Sequence, residues 1–559
     1  MTAIASTTDS QLRCNVADRL SAFAESQPDR VAIAVAKPGK RGVYQTITFG
    51  DLDSRVNAIA NGLLRRGVVP GTRFAMLVPF GIDFICLVLA LLKAGMIQIL
   101  VDPGMGKQNL IECLAASKPQ GFIGIPKAQI ARLLYRKRFP DARQNFVVGS
   151  RFALPLLGVP IDKVRVRVES KISFPLTCES DPAAVIFTTG STGPPKGVAY
   201  THGTFEHQVR LIQRQYQIQP GTVDLACFPL FGLFDAVMGV TTVVPDMDPT
   251  RPADAKPDNI ISAVRDWRVD QAFGSPALWH TVSSYCVRKE ITLPSVRRVL
   301  SAGAPVPPAT LNALRKMMHP DVDVYTPYGA TESLPVASIE SREVLNETAK
   351  QTLAGAGTCV GKRFDEMEWQ VIRITDDPLD DIAQVDPLPT GQIGELMVSG
   401  PVVTSAYVTR PDQNALHKVR DGKRVWHRMG DVGYLDADDR FWFCGRKAHR
   451  VQDGSEVLYT ICCEAIFNQH DDVYRTALIG IGDRPRQTPM LIVEPHADRR
   501  PENEAQRERL IQQLRELGKQ FEHTRRIERI EIHPLGLPVD IRHNSKIFRE
   551  KLVQWYRSR

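Results

Sequence analysis

The chain has no long apolar run. Its most hydrophobic stretch, FICLVLALL at 84–92, ends at Lys93, whereas a membrane-spanning helix needs about 20 residues. It reads as a buried helix, so no transmembrane segment is expected. The ten cysteines contain no CxxC pair with metal-ligand spacing and lie far apart, except for the adjacent Cys462 and Cys463. A chain of this size does not need disulfide staples, so reduced and mostly buried thiols in a cytoplasmic protein are expected. The N-terminus, MTAIASTTDSQLRC, lacks a basic segment followed by an apolar core, and no secretory signal is read there. Internal repeats, low-complexity runs and basic stripes interleaved with aromatics are also missing. Their absence argues against fibrous, disordered and nucleic-acid-binding chains.

What is present is an ordinary globular composition, 43% hydrophobic and 24% charged. At 559 residues the chain exceeds one ordinary core, so two or more domains are expected. The formal net charge of +8 comes from 70 basic and 62 acidic residues and is small for this length. Its densest basic spots, RKR at 136–138 and HTRR at 523–526, leave open a weak attraction to anionic lipid headgroups or anionic substrates.

Helical and strand patterns alternate through 16–140 and again from 202 to about 330, which predicts α/β layers on a largely parallel sheet. LACFPLF at 225–231 reads as strand-like. From about 365 to 445 the pattern turns short, strand-rich and punctuated by Gly and Pro, as in a β subdomain. Beyond 450 a smaller unit follows, in which the charged helix from 502 carries a thin apolar stripe and reads as a solvated outer face.

The chemistry-bearing stretch is VIFTTGSTGPPKGVAYTH, residues 185–202. It fails the Walker A test, because Lys196 is followed by Gly197 and a strand-like VAY rather than by Ser or Thr and a helix. Its ingredients still suit a polyphosphate. Gly190, Gly193 and Gly197 let backbone N–H groups turn toward an anion. Thr188, Thr189, Ser191 and Thr192 add hydroxyls, and Lys196 adds a charge. Such a strand-loop-strand would cover phosphates rather than sit beneath them.

TTGSTGPPKG closely resembles the phosphate loop of the acyl-adenylate-forming superfamily of acyl-CoA synthetases, nonribosomal-peptide adenylation domains and firefly-type luciferases. Further motifs of that superfamily recur in order along nearly the whole chain. SAGAP at 301–305 resembles the adenine-side loop and implies that Gly303, Ala304 and Pro305 pack near the base. TPYGATE at 326–332 resembles the Tyr-Gly-x-Thr-Glu segment. It implies Tyr328 and Gly329 beside the adenine, Thr331 at the α-phosphate, and Glu332, with Thr188, at Mg²⁺, a hard cation that prefers oxygen ligands. HRMGDVGYLD, with Met429 in place of the usual Thr, implies that Asp431 holds the ribose hydroxyls. FCGRKAHR resembles the hinge segment, so Arg446 would reach ribose and Ala448 would occupy the pivot. LPVDIRHNSKIFREKL, with Asn544 and Ser545 ahead of Lys546, marks Lys546 as the adenylation lysine, whose ammonium offsets repulsion between carboxylate and α-phosphate. The resemblance thus implies ATP and Mg²⁺ as cofactors. It also implies an α/β fold with a large N-terminal domain (1–445) of layered α/β subdomains plus a β subdomain, and a small mobile α+β C-terminal domain (446–559).

Two departures bear on the second step. Gly232 stands where many members have His after Pro-Leu-Phe, and Cys462 stands where the post-hinge segment usually has its earlier Glu. Together with VDPGMG, MDPTRPA, FGSPAL and VDIRHNSKI, they resemble the branch of β-lactone synthetases of bacterial long-chain olefin biosynthesis. In that branch a 2-alkyl-3-hydroxy fatty acid is adenylated, and its own β-hydroxyl then closes a four-membered lactone. Phe231, Gly232, Phe234, Gly274 and Ser275 are the implied acyl pocket, and other enzymes of the same pathway are implied partners. His202 and His280 are candidates for activating the hydroxyl, and a structural role stays open for each. A long-chain fatty-acyl-CoA ligase and a non-catalytic acyl or nucleotide binder are the alternatives.

Overall fold

A computed structural model describes residues 13–150, 155–166, 173–188, 194–540 and 546–558. Two large sheets carry the first 446 residues. The smaller has seven strands, in the order Val159–Pro160, Gln144–Val147, Gly121–Gly124, Arg73–Leu77, Ile97–Leu100, Pro182–Phe187 and Gly197–Thr201. Its strands run parallel except for the last pair, which is antiparallel. Ile97–Leu100 and Gly121–Gly124 are buried at every position, as expected of parallel strands covered on both faces.

The larger sheet has fourteen strands. A parallel half joins Val31–Ala36, Thr241–Val244, Val223–Ala226, Gln271–Gly274, Arg298–Ser301 and Asp323–Ala330. It continues antiparallel through Ser333–Glu340, Thr358–Arg363, Arg440–Arg446, Arg424–Leu435, Gly394–Ser399 and Glu368–Ile372, the strand-rich part expected from the sequence. Past residue 446 a three-stranded sheet, Val473–Ile481, Thr488–Pro495 and Arg529–Ile532, packs under the helix Glu504–Lys519. That helix buries only Leu510, Ile511, Leu514 and Gly518, the thin stripe read from its sequence.

The apolar stretch at 84–92 forms the buried helix Ile82–Lys93, and among the described residues no helix is long and apolar enough to cross a membrane. Even Lys93 is buried there, its ammonium donating to Ser21, Asp53 and Asn57. No described group of His, Cys, Asp and Glu has metal-ligand geometry, and all ten cysteines are free. One expectation fails. LACFPLF is not one strand, because the strand ends at Ala226 and the helix Pro229–Met238 begins at Pro229. The proline's fixed φ suits a first helical turn and its missing N–H costs a helix start nothing.

Candidate active site

The motifs gather at the carboxyl ends of parallel strands, where open α/β sheets place their ligands. Thr188 follows Pro182–Phe187, Gly303 follows Arg298–Ser301, Ser275 follows Gln271–Gly274, and Tyr328 lies near the end of Asp323–Ala330. Around the phosphate loop, Thr188 N–H donates to the Lys196 carbonyl (3.0 Å), and Lys196 N–H donates to Thr188 Oγ1 (3.3 Å). The antiparallel pair Pro182–Phe187 and Gly197–Thr201 thus makes the expected strand-loop-strand. Thr189, Gly190, Ser191, Thr192 and Gly193 lie outside the described residues.

Lys196 Nζ sits 3.2 Å from His417 Nε2 and 4.8 Å from the centroid of the Tyr407 ring. Burial lowers its pKa, and the nearby Glu332 carboxylate opposes that shift. Tyr407 O–H donates to Glu332 Oε1 at 2.7 Å, and Glu332 is itself buried. The Tyr407 ring also stacks under the buried Lys418 ammonium, which donates to the Thr404 carbonyl at 2.5 Å. Burial pushes Lys418 down to about 7 and His417 down to about 3, the latter reinforced by the charge of Lys196. His417 is therefore a neutral acceptor for the loop lysine at ordinary pH.

At the residues expected to meet ribose, Arg446 Nη1 donates to Asp431 Oδ1 (2.6 Å) and to the Met429 carbonyl (3.0 Å), while Tyr328 O–H donates to Asp431 Oδ2. Burial raises the Asp431 pKa and Arg446 opposes that, and the carboxylate in turn raises Arg446. The strands Arg424–Leu435 and Arg440–Arg446 pair Asp431 directly with Arg446, so register alone puts them together. Gly303 has a φ of +99°, which only glycine adopts without strain, with Ala304 half-buried and Pro305 exposed behind it. A Cβ on Gly329 would lie 2.7 Å from the Ser333 carbonyl oxygen, so the turn into Ser333–Glu340 needs glycine. The Thr331 carbonyl accepts from Tyr200 O–H at 2.7 Å.

Lys546 comes from the far end of the chain. Its N–H donates to Asp540 Oδ1 (2.9 Å), and Asp540 N–H donates back to its carbonyl (3.0 Å). Burial and the charge of Arg446 both lower the Lys546 pKa, and the charges of Asp540 and Glu550 oppose that. The segment between the two parts is tied down as well. Lys447 Nζ donates to the buried Glu395, which also binds Arg428, and Arg450 pairs with Asp376. Cys462 packs against Cys444 and Val432 in a small buried cluster.

The acyl-side residues line close approaches. A Cβ on Gly232 would come within 2.7 Å of both Ala226 Cβ and Phe80 Cζ, and one on Gly274 within 2.9 Å of Trp279 Nε1. Ser275 caps the helix Pro276–Arg288 by accepting from Leu278 N–H, and Phe234 packs on Phe205 with centroids 5.9 Å apart. The Phe231 side chain lies outside the described residues. Beneath this wall Asp224 and Asp235 are buried, and burial raises both pKa values, with the charge of Asp224 raising Asp235 further. His202 is fully buried, with neither ring nitrogen bonded among the described residues, and is pushed down to about 4. His280 is exposed on Pro276–Arg288. No described contact links either histidine to the cluster around Lys196 and Arg446.

Sequence reasoning missed Tyr407, His417, Lys418 and the Asp224–Asp235 pair. Tyr407 and His417 meet Lys196 across more than 200 residues of chain, and no local spacing announces that. Two aspartates flanking PLFG were visible, and their meeting needed the strand-to-helix turn at Pro229.

Such an arrangement, with carboxylate, arginine and phenol on one side and a lysine loop backed by an acid on the other, is that of an AMP-binding enzyme. The family model for AMP-binding enzymes matches residues 20–408, and the chain belongs to that family. At finer grain, it is 44% identical over 554 residues to an olefin beta-lactone synthetase of Xanthomonas campestris pv. campestris, covering 97% of each chain. It is 42% identical to an olefin beta-lactone synthetase of Stenotrophomonas maltophilia, covering 97% of this chain and 98% of that one. Among solved structures, the amide bond synthetase McbA from Marinactinospora thermotolerans superposes with a TM-score of 0.77 at 22% identity, over 97% of this chain and 99% of that chain, and shows the same fold.

Proposed function

We propose that the chain activates a 2-alkyl-3-hydroxy fatty acid with ATP and closes the resulting acyl-AMP to a β-lactone. The near full-length likeness to two olefin beta-lactone synthetases carries this reading. In the first step a carboxylate oxygen attacks the α-phosphorus and the bond to pyrophosphate breaks. Lys546, whose lowered pKa registers the charge of Arg446, offsets the charge that builds as two anions meet. Asp431 accepts the ribose hydroxyls, steadied by Arg446 and Tyr328, with the Gly303–Ala304–Pro305 loop at the base. Thr189 to Gly193 and Lys196 cover the phosphates, and Thr331 and Gly329 line the path between base and phosphate.

The donor set fits Mg²⁺. Glu332 has one oxygen engaged by Tyr407, and its other oxygen takes no hydrogen bond among the described residues, while Thr188 offers a hydroxyl nearby in the loop. Bound there, the ion would neutralise polyphosphate charge. In the second step the β-hydroxyl oxygen attacks the acyl carbon, the acyl–oxygen bond to phosphate breaks, AMP leaves and the hydroxyl proton is lost. The nucleophile is already part of the substrate, so positioning supplies much of the rate. Phe231, Gly232, Phe234, Gly274 and Ser275 form the wall that fixes the alkyl chains. In this reading residues 1–445 bind the nucleotide and acid, residues 446–559 deliver Lys546, and enzymes that supply the acid or consume the lactone are the natural partners.

Incubation with MgATP and a 2-alkyl-3-hydroxy acid, without CoA, is expected to yield a β-lactone by proton NMR. A thioester formed only on addition of CoA, with no lactone, overturns the reading in favour of an acyl-CoA ligase. No pyrophosphate release with any acid would make the chain a binder.

A further inference from the structure

One surface far from the described chemistry combines two features that a water-facing surface seldom holds together. The helix Pro126–Leu134 and the turn Arg136–Arg138 lie at the edge of the seven-stranded sheet. Residues 126–140 hold Lys127, Arg132, Arg136, Lys137 and Arg138 and no acidic residue. Among the described residues none of these five cations forms an ion pair. Lys127, Arg136, Lys137 and Arg138 are exposed, and Lys107 joins them across the Tyr135 ring, 5.5 Å from its centroid.

The same face carries aliphatic side chains in water. Ile130 is 50% exposed, Leu134 77% and Leu156 73%, so three of the ten large apolar side chains that stand exposed among the described residues meet here. Lys127, Ile130 and Leu134 follow helical spacing along one face, while Gln129 turns inward and is buried. Arg132 donates to the Leu156 carbonyl at 3.1 Å, which fixes Leu156 beside the helix. The helix therefore presents its apolar residues outward, the reverse of a core-packing helix.

We infer that this face docks on an anionic lipid bilayer. Cations alone would suit nucleic acid, and an aliphatic patch alone would suit a protein groove. Aliphatics ringed by unpaired cations, with the exposed Asp141 following only past the basic run, match a headgroup layer over acyl chains. Leu134, Ile130 and Leu156 enter the acyl boundary, while Lys127 and the Arg136–Lys137–Arg138 run pair with lipid phosphates. The inference stands apart from the lactone reading and is tested by binding, so one can fail without the other.

The test is flotation of the full-length protein with phosphatidylcholine vesicles, with and without about 30% phosphatidylglycerol. The protein is expected to float with the anionic vesicles, to stay behind with the neutral ones, and to release as salt rises toward about 0.5 M. The triple change Arg136→Glu, Lys137→Glu, Arg138→Glu is expected to weaken that binding by about tenfold or more. Leu134→Ser with Leu156→Ser tests the aliphatic contribution and should weaken it even at low salt. All five positions are exposed, and unchanged circular-dichroism melting shows that the variants fold. Equal binding to both vesicle types, no binding to either, or variants that bind like the parent overturn the inference. Variants that keep vesicle binding but lose a co-purifying protein assign the face to a protein partner, which also overturns it.

Discussion

The cluster around Asp431 and Glu332 and the wall around Gly232 both bury carboxyl groups, and they handle them in opposite ways. In the first region each of three buried carboxylates has a donor of its own. Asp431 has Arg446 and Tyr328, Glu332 has Tyr407, and Glu395 has Arg428 and Lys447. Beside Gly232, Asp224 and Asp235 are both buried and Asp224's charge acts on Asp235, while Arg298, whose charge acts on Asp224, bonds to Gln271 rather than to either. Two carboxyls so placed are stable only if one keeps its proton. The comparison teaches that one region fixes its carboxylates in charged pairs while the other is kept closer to neutral and tightly packed, the division that the proposed reading needs for a nucleotide and alkyl chains.

Changes that break this contrast rank by how directly they touch the chemistry. Lys546→Ala removes the lysine that the proposed function sets at the α-phosphate and is expected to slow acyl-adenylate formation by about 100- to 1,000-fold, measured by ATP–pyrophosphate exchange, with melting unchanged. Asp431→Asn leaves Arg446 without its anion. It should raise the KM for ATP and cost about 2 kcal/mol in denaturant unfolding, since Arg446 is partly exposed. His417→Ala should lower kcat/KM for ATP by about tenfold, because Lys196 loses the acceptor that aims it, and His417→Gln should restore part of that.

On the acyl wall, Gly232→Ala should cost about 1–3 kcal/mol, because its methyl would collide with Ala226 and Phe80. Asp235→Asn should have the smallest effect at neutral pH and a clear sign above it. The folded pair holds its proton above the ordinary aspartate value of 3.8, where the unfolded chain has already lost it. Stability contributed by the pair is therefore lost as pH rises, and Asp235→Asn should flatten that loss. An unfolding series from pH 5 to pH 9 checks it, and an identical slope in both proteins would refute the shared-proton account.

Much of this was legible in the chain. The alternation of strands and helices announced α/β layers with parallel strands, because strands buried on both faces are short and continuously apolar, but not their division into two sheets. Asp431, Arg446, Tyr328 and Glu332 sit in motifs whose backbone register then puts them together. Pairing of adjacent strands brings Asp431 to Arg446, for example. Tyr407 and His417 were not legible, since they reach Lys196 through a loop that crosses from one sheet to the other. Nor was the helix at Pro229, where an apolar run of strand composition hides a turn that only the proline marks. Gly232 was legible only as the residue standing where many members have His, and in three dimensions it is a point of close approach to Ala226 and Phe80.

The central claim, that one carboxylate is adenylated and then attacked by the neighbouring hydroxyl, is tested most directly by isotope transfer. The acid is labelled with oxygen-18 in both carboxyl positions, turned over with MgATP, and the products weighed by mass spectrometry. The account predicts one labelled oxygen in AMP and one in the lactone carbonyl, with the ring oxygen unlabelled. Both labels in the lactone and none in AMP would contradict it, because the hydroxyl rather than the carboxylate would then have been activated.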